Sequence, residues 1–202
     1  YQPRYYDRNK TAFVMCSTGE KVSFGELEDR ANQGAHLIRS LGVGTEDHIA
    51  ILMENRREFM EICFAADRCG VYYTTISTHF KHAEIAYILR DCSAKILIVS
   101  EKFRFLCAET QIPEDCKILY VSDKHETNSW DFALSCMPTE PIEDEAQGLD
   151  MLYSSGTTGR PKGIKWPLPN TVCGEKTMLI ELLSALFHYG PDTRYLSPAP
   201  LY

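Results

Sequence analysis

Residues 153–163 read Tyr-Ser-Ser-Gly-Thr-Thr-Gly-Arg-Pro-Lys-Gly, and their composition suits one task, the cradling of phosphate. Gly156, Gly159 and Gly163 let backbone bend and approach an anion with no Cβ in the way. Ser154, Ser155, Thr157 and Thr158 place four hydroxyl donors within five residues. Lys162 adds a mobile point charge suited to neutralising a phosphate tail, with Arg160 and Lys165 nearby. This is not a Walker loop, which needs Gly-x-x-x-x-Gly-Lys-[Ser/Thr]. Here two residues separate Gly159 from Lys162, and Gly163 follows the lysine. Pro167 and Pro169 delay any helix, so loop amides and hydroxyls, not a helix dipole, are expected to meet the anion.

Other reactive residues form no comparable grouping. His79 and His82 are three apart but have no Cys or carboxylate in register, so an exposed turn is expected there and no metal site is assigned. Glu140, Glu143, Asp144 and Glu145 read as a solvated patch. The eight cysteines are scattered, with no C-x-x-C pair, and are expected to be reduced small hydrophobes in a cytoplasmic protein.

The chain has 202 residues, of which 44% are hydrophobic and 24% charged. That is the profile of a globular protein with a conventional core. A net charge of −7 and a pI near 5.4 argue against general affinity for nucleic acid or anionic lipid. The most apolar stretch, 178–187, is interrupted by Glu181 and falls far short of the roughly 20 residues needed to span a bilayer.

The loop must be positioned by a scaffold, and the pattern predicts an alternating one. Ser23 and Glu26 form a capping box before a helix carrying Leu27, Ala31, Ala35, Ile38 and Leu41, with Gly42 as its stop. A strand is predicted over 48–53. Asn55 and Glu58 are read as a second capping pair before Phe59, Ile62, Cys63 and Ala66, closed by Gly70. Further strands are predicted over 71–76, 95–99 and 117–121, with helical stripes at Ile85, Ile88, Leu89 and Cys92 and at Phe103, Leu106 and Cys107. Apolar strands alternating with helices imply an α/β fold with largely parallel sheets, the strands at 96–99 and 118–121 covered on both faces. Residues 1–122 then form a first α/β subdomain, 123–147 an acidic surface connection, and 148–202 the start of a second unit. That unit is expected to hold a strand over 148–154, the loop, a buried apolar helix from Asn170 or Thr171 to near Tyr189, and a strand over 194–197.

The full order of 153–163 resembles the AMP-binding signature of the adenylate-forming superfamily, which includes acyl-CoA synthetases, luciferases and peptide-synthetase adenylation domains. Val22-Ser23-Phe24-Gly25-Glu26-Leu27 resembles that family's opening helix motif, and 67–73 its helix-to-strand glycine motif. Residues 196–202 resemble the segment that leads to a family histidine. The resemblance implies the large N-terminal domain of such enzymes. It implies ATP and Mg2+, with a carboxylate attacking the α-phosphate and coenzyme A receiving the acyl group. By position, Ser154, Ser155, Gly156, Thr157, Thr158, Gly159, Arg160 and Gly163 are expected at the β- and γ-phosphates, with Lys162 as the catalytic charge.

Thr75-Ile76-Ser77-Thr78 stands where many relatives carry a Pro-[Ile/Leu]-[Asp/Asn]-Pro turn, which weakens likeness to peptide-synthetase domains. Residues 164–169 look most like the fatty-acyl-CoA ligase branch. The alternatives are an aryl-acid or amino-acid adenylating enzyme, or a non-catalytic nucleotide-binding domain of the same fold. The family's adenine-binding aromatic segment, Mg-binding glutamate, ribose-binding aspartate and C-terminal lysine are expected downstream of Tyr202. With no initiator Met, the chain reads as an N-terminal fragment, inactive by itself.

Overall fold

The computed structural model describes residues 2–122, 129–154, 160–175, 178–188, 190 and 192–202. Its centre is a parallel sheet of five strands: β3 (His48–Leu52), β4 (Tyr72–Thr75), β5 (Ala94–Ser100), β6 (Lys117–Val121) and β7 (Leu149–Asp150). Their spatial order is β6-β5-β3-β4-β7, so the chain enters at the middle and builds outward on both sides. A small antiparallel ribbon of β1 (Thr11–Val14) and β2 (Lys21–Ser23) precedes the sheet.

Helices cover both faces, and the strands sort their side chains with period two. Ile49, Ile51, Ile96 and Ile98 face α1 (Phe24–Ser40) and α2 (Arg57–Arg68) in one core. Ala50, Leu52, Leu97 and Val99 face α3 (His82–Asp91) and α4 (Arg104–Glu109) in the other. β3 is buried throughout, as its apolar run predicts. β6 differs from expectation: it is an edge strand, and Ile118 and Tyr120 are only half-covered.

Ser23 caps α1 with the predicted box, and Gly42, at φ +83°, ends it in the left-handed region. The second capping pair is not formed. Arg56 is the N-cap of α2 and its guanidinium engages Glu58, while Asn55 accepts the Leu201 amide at 2.9 Å. A nearby cation and a long-range backbone donor compete successfully for the two residues. In the core between α1 and α2, the fully buried Arg68 binds both carboxylate oxygens of Glu28 and the side chain of Asn32. Burial alone would raise the Glu28 pKa; the Arg68 guanidinium outweighs it and holds the group below the usual carboxylate range.

The predicted surface connection contributes to the core. It contains α5 (Trp130–Ser135), capped by Ser129, with Trp130 and Leu134 fully buried against α1 and Ile142 packed in the same cluster. The acidic patch is divided: Asp144 pairs with Arg39 at 3.0 Å and Glu145 with Arg4, while Glu140 and Glu143 are exposed. The single strand expected over 148–154 is split in two. β7 joins the central sheet beside β4, and β8 (Leu152–Ser154) leaves it to pair with β9 (Lys162–Ile164). The last helix, α6 (Met178–Phe187), starts later than expected. Leu182, Leu183, Leu186 and Phe187 are exposed, so the expected burial is not found at these positions. No strand forms over 194–197, where the described backbone finds no partner strand.

Candidate functional site

The β8–β9 hairpin places the ends of the glycine-rich segment side by side. Its register pairs Leu152 with Ile164, Tyr153 with Gly163 and Ser154 with Lys162. Side chains alternate across a strand, so the Ser154–Lys162 and Leu152–Ile164 pairs share one face and Tyr153–Gly163 occupies the other. Ser154 and Lys162 are exposed on the outward face, a hydroxyl beside an ammonium at the mouth of the loop. Ser155, Gly156, Thr157, Thr158 and Gly159, also assigned to phosphate, lie outside the described residues. Pro161 is buried at the foot of the second arm.

The inward face explains Gly163. A Cβ there would lie 2.5 Å from the Met151 Cε and 2.9 Å from the Tyr153 ring, so the glycine makes room for the tyrosine across the ladder. Tyr153 packs with Met151 and Leu168 on the α3 side of the sheet, and its hydroxyl donates to Asp91 Oδ2 at 2.5 Å. Burial first, and the Asp91 carboxylate second, push the Tyr153 phenol above its usual range, so it remains protonated and a donor.

The three cations expected to cluster have separate environments. Arg160 lies 5.9 Å from the centre of the Tyr87 ring, one turn before Asp91 on α3. Lys162 points outward. Lys165 turns back to the start of the sheet, where its Nζ lies 3.0 Å from His48 Nε2 and 4.3 Å from the centre of the Tyr72 ring. His48 and Tyr72 are register partners whose rings stack at 4.7 Å, and the Tyr72 hydroxyl donates to the Trp166 carbonyl at 2.8 Å. Burial, then the neighbouring Lys165 charge, lower the His48 pKa to about 4, so its Nε2 is a neutral acceptor for the ammonium.

Asp91, Tyr87, His48 and Tyr72 were not identified from sequence as belonging with the loop. Their partners are 60 or more residues away in the chain, and only the inward position of Tyr153 in the alternation could have pointed to a docking partner. His79 and His82 go separate ways, to the edge of the Tyr202 ring and to Glu109 at 3.0 Å. The turn at Thr75–Thr78 is made without proline. The Ser77 carbonyl accepts from the Phe80 amide at 3.1 Å, and its Oγ from the His79 amide at 3.3 Å.

Residues 2–202 match the family model described as AMP-binding enzyme. Crotonobetaine/carnitine–CoA ligase of Proteus mirabilis (strain HI4320) is 28% identical over 187 residues, covering 79% of this chain and 33% of the ligase. Tyrocidine synthase 3 of Brevibacillus parabrevis is 29% identical over 158 residues, covering 78% of this chain and 2% of the synthase. The crystal structure of the anthranilate CoA ligase AuaEII in complex with anthranoyl-AMP superposes with a TM-score of 0.68 at 29% identity. That match covers 78% of this chain and 30% of the ligase. The chain therefore spans about a third of the length of the two ligases it resembles.

Proposed function

Because the chain belongs to the AMP-binding enzyme family, we propose that it carries the phosphate-binding hairpin of an enzyme that activates a carboxylic acid with ATP. The acid's oxygen attacks the α-phosphorus, the bond to the bridging oxygen breaks, and pyrophosphate leaves. The thiol of coenzyme A then attacks the acyl carbon of the adenylate, releasing AMP and the thiol proton. One observation carries this reading: Ser154 and Lys162 stand opposite each other, exposed, at the two ends of the glycine-rich segment.

The chemistry assigned to this chain is electrostatic. Negative charge accumulates on the bridging oxygen as pyrophosphate departs, and an ammonium already in place offsets it without reorganisation. Lys162 has that role, Ser154 orients a phosphate oxygen, and Arg160 together with the hydroxyls of Ser155, Thr157 and Thr158 completes the cradle. The described residues contain no group of three His, Cys, Asp or Glu side chains able to hold a divalent ion. A hydrophobic acid is the favoured substrate class, supported by the 164–169 segment and by a medium/long-chain-fatty-acid–CoA ligase among the relatives.

Carboxylate-dependent exchange of pyrophosphate into ATP, run with fatty, aryl and amino acids on the protein that contains this chain, tests the reading. Exchange with hydrophobic acids, followed by thioester formation with coenzyme A, is the expected result. Exchange with amino acids and no thioester would move the assignment to the peptide-synthetase type, and no exchange at all would leave a non-catalytic binding domain.

A further inference from the structure

Three side-chain hydrogen bonds made by His48, Tyr72 and Asp91 tie the arms of the loop-bearing hairpin to the scaffold. On the entering arm, Tyr153 donates to Asp91 at the C-terminus of α3. On the leaving arm, the Lys165 ammonium meets His48 Nε2 and the Trp166 carbonyl accepts from the Tyr72 hydroxyl, both at the starts of β3 and β4. The entering arm is also held at its base, where the Met151 amide donates to the Tyr73 carbonyl and the Met151 carbonyl accepts from Thr74 Oγ1, both at 2.9 Å. Leu152, Ile164 and Trp166 on its outward side are exposed, and beneath it lies a cavity of about 340 Å³ lined by Asp47, His48, Asp91, Lys95, Met151 and Lys165 among others. Apolar packing under the hairpin comes from Met151, Tyr153 and Leu168. Packing of that kind is nondirectional and does not by itself fix the orientation of Ser154 and Lys162.

We propose that His48, Tyr72 and Asp91 are positioning residues, which clamp the two arms of the β8–β9 hairpin and so set where Ser154 and Lys162 meet a polyphosphate. None of the three touches the phosphates; each acts through the hairpin. The consequence for phosphate binding rests on the function proposed above, whereas the clamp rests on the contacts alone. Two directional anchors on opposite arms resist both sliding and tilting, which one anchor cannot do. Because each is a single hydrogen bond, two of them part-buried and one exposed, loss of one is expected to loosen the hairpin and leave the sheet intact.

The experiment measures two quantities on the chain and its variants: amide hydrogen exchange over residues 152–154 and 162–166, and affinity for inorganic tripolyphosphate by calorimetry. Asp91→Ala, Tyr72→Phe and His48→Leu are each expected to speed exchange in the hairpin about two- to tenfold while β3 and β5 keep their protection. The same variants are expected to weaken tripolyphosphate by a similar factor. His48→Gln and Asp91→Asn, which retain an acceptor, should restore most of both. Unchanged hairpin exchange in the alanine, phenylalanine and leucine variants overturns the clamp, as does equal loss of protection in β3 and β5. Faster hairpin exchange with unchanged tripolyphosphate affinity overturns the link to phosphate and leaves the clamp. If Lys162→Ala binds tripolyphosphate as well as the parent, or the parent does not bind it, the phosphate-loop reading itself fails, and the exchange data stand apart from that failure.

Discussion

Ser154 and Lys162 are direct cross-strand partners, the last pair of the β8–β9 ladder before the glycine-rich segment. The serine hydroxyl and the lysine ammonium therefore lie on one face of the hairpin, although eight positions separate them in sequence. A ladder fixes that spacing more tightly than a free loop could, because its hydrogen bonds hold both backbones.

Gly163→Ala tests whether the hairpin needs the open space beside Tyr153. The added methyl meets Met151 and the Tyr153 ring, so the substitution is expected to cost about 1–3 kcal/mol and to displace the tyrosine from Asp91. Urea denaturation measures the cost, and tyrosine near-ultraviolet circular dichroism the displacement. A variant as stable as the parent, with an unchanged tyrosine signal, would show that the hairpin yields freely.

Trp130→Ala tests the contribution of the 123–147 region to the core. Its ring is fully buried, packed against Gly34 and the face of α1, and truncation is expected to cost about 3–5 kcal/mol. Trp130→Phe should cost less, by keeping part of the contact. A loss below about 1 kcal/mol for the alanine variant would mean that the segment only lies on the surface.

His48 makes stability depend on acid. Its folded pKa of about 4 lies below the ordinary 6.5, so between those values the unfolded chain binds a proton that the folded chain refuses. Stability then falls as pH drops through that window, by on the order of 1 kcal/mol per unit at most. Protonation would turn Nε2 from an acceptor into a donor facing Lys165, with Lys95 also in the cavity and Asp47 as the adjacent counter-charge. Denaturation of the parent and His48→Gln across this range should show a shallower slope for the variant; identical slopes would contradict a neutral buried His48.

Asp67 has the opposite sign. Burial, and then the Asp150 carboxylate, raise its pKa from 3.8 to about 7, so the folded chain binds the extra proton and stability falls as pH rises through that interval. Asp67→Asn is expected to be more stable than the parent at about pH 8, with the advantage shrinking toward pH 4. A variant less stable at the higher pH would place an unrecognised cation beside Asp67.

The central sheet was legible because its strands are continuous apolar runs: all of β3 and most of β5 are buried, and nothing but a covered strand suits such sequences. The split between β7 and β8 was not, because Leu149 to Ser154 reads as one strand and only tertiary pairing moves the chain from one sheet to another at Met151. α5 was hidden by brevity: one turn and a half around Trp130 gives too little periodicity against its polar flanks. Within the site, Ser154 and Lys162 stand out by type and spacing, and the hairpin pairs them. The clamp was not legible, since Asp91, His48 and Tyr72 become neighbours of the hairpin only when α3 and the starts of β3 and β4 are assembled.

The most direct measurement of the account compares the two half-reactions in Lys162→Ala, with adenylate formation and thioester formation followed separately by rapid quench. If Lys162 offsets charge on departing pyrophosphate, adenylation slows by on the order of 100-fold while thioester formation from preformed adenylate is nearly unchanged. Equal slowing of both steps, or of neither, would contradict the assignment of this hairpin to the pyrophosphate end of ATP.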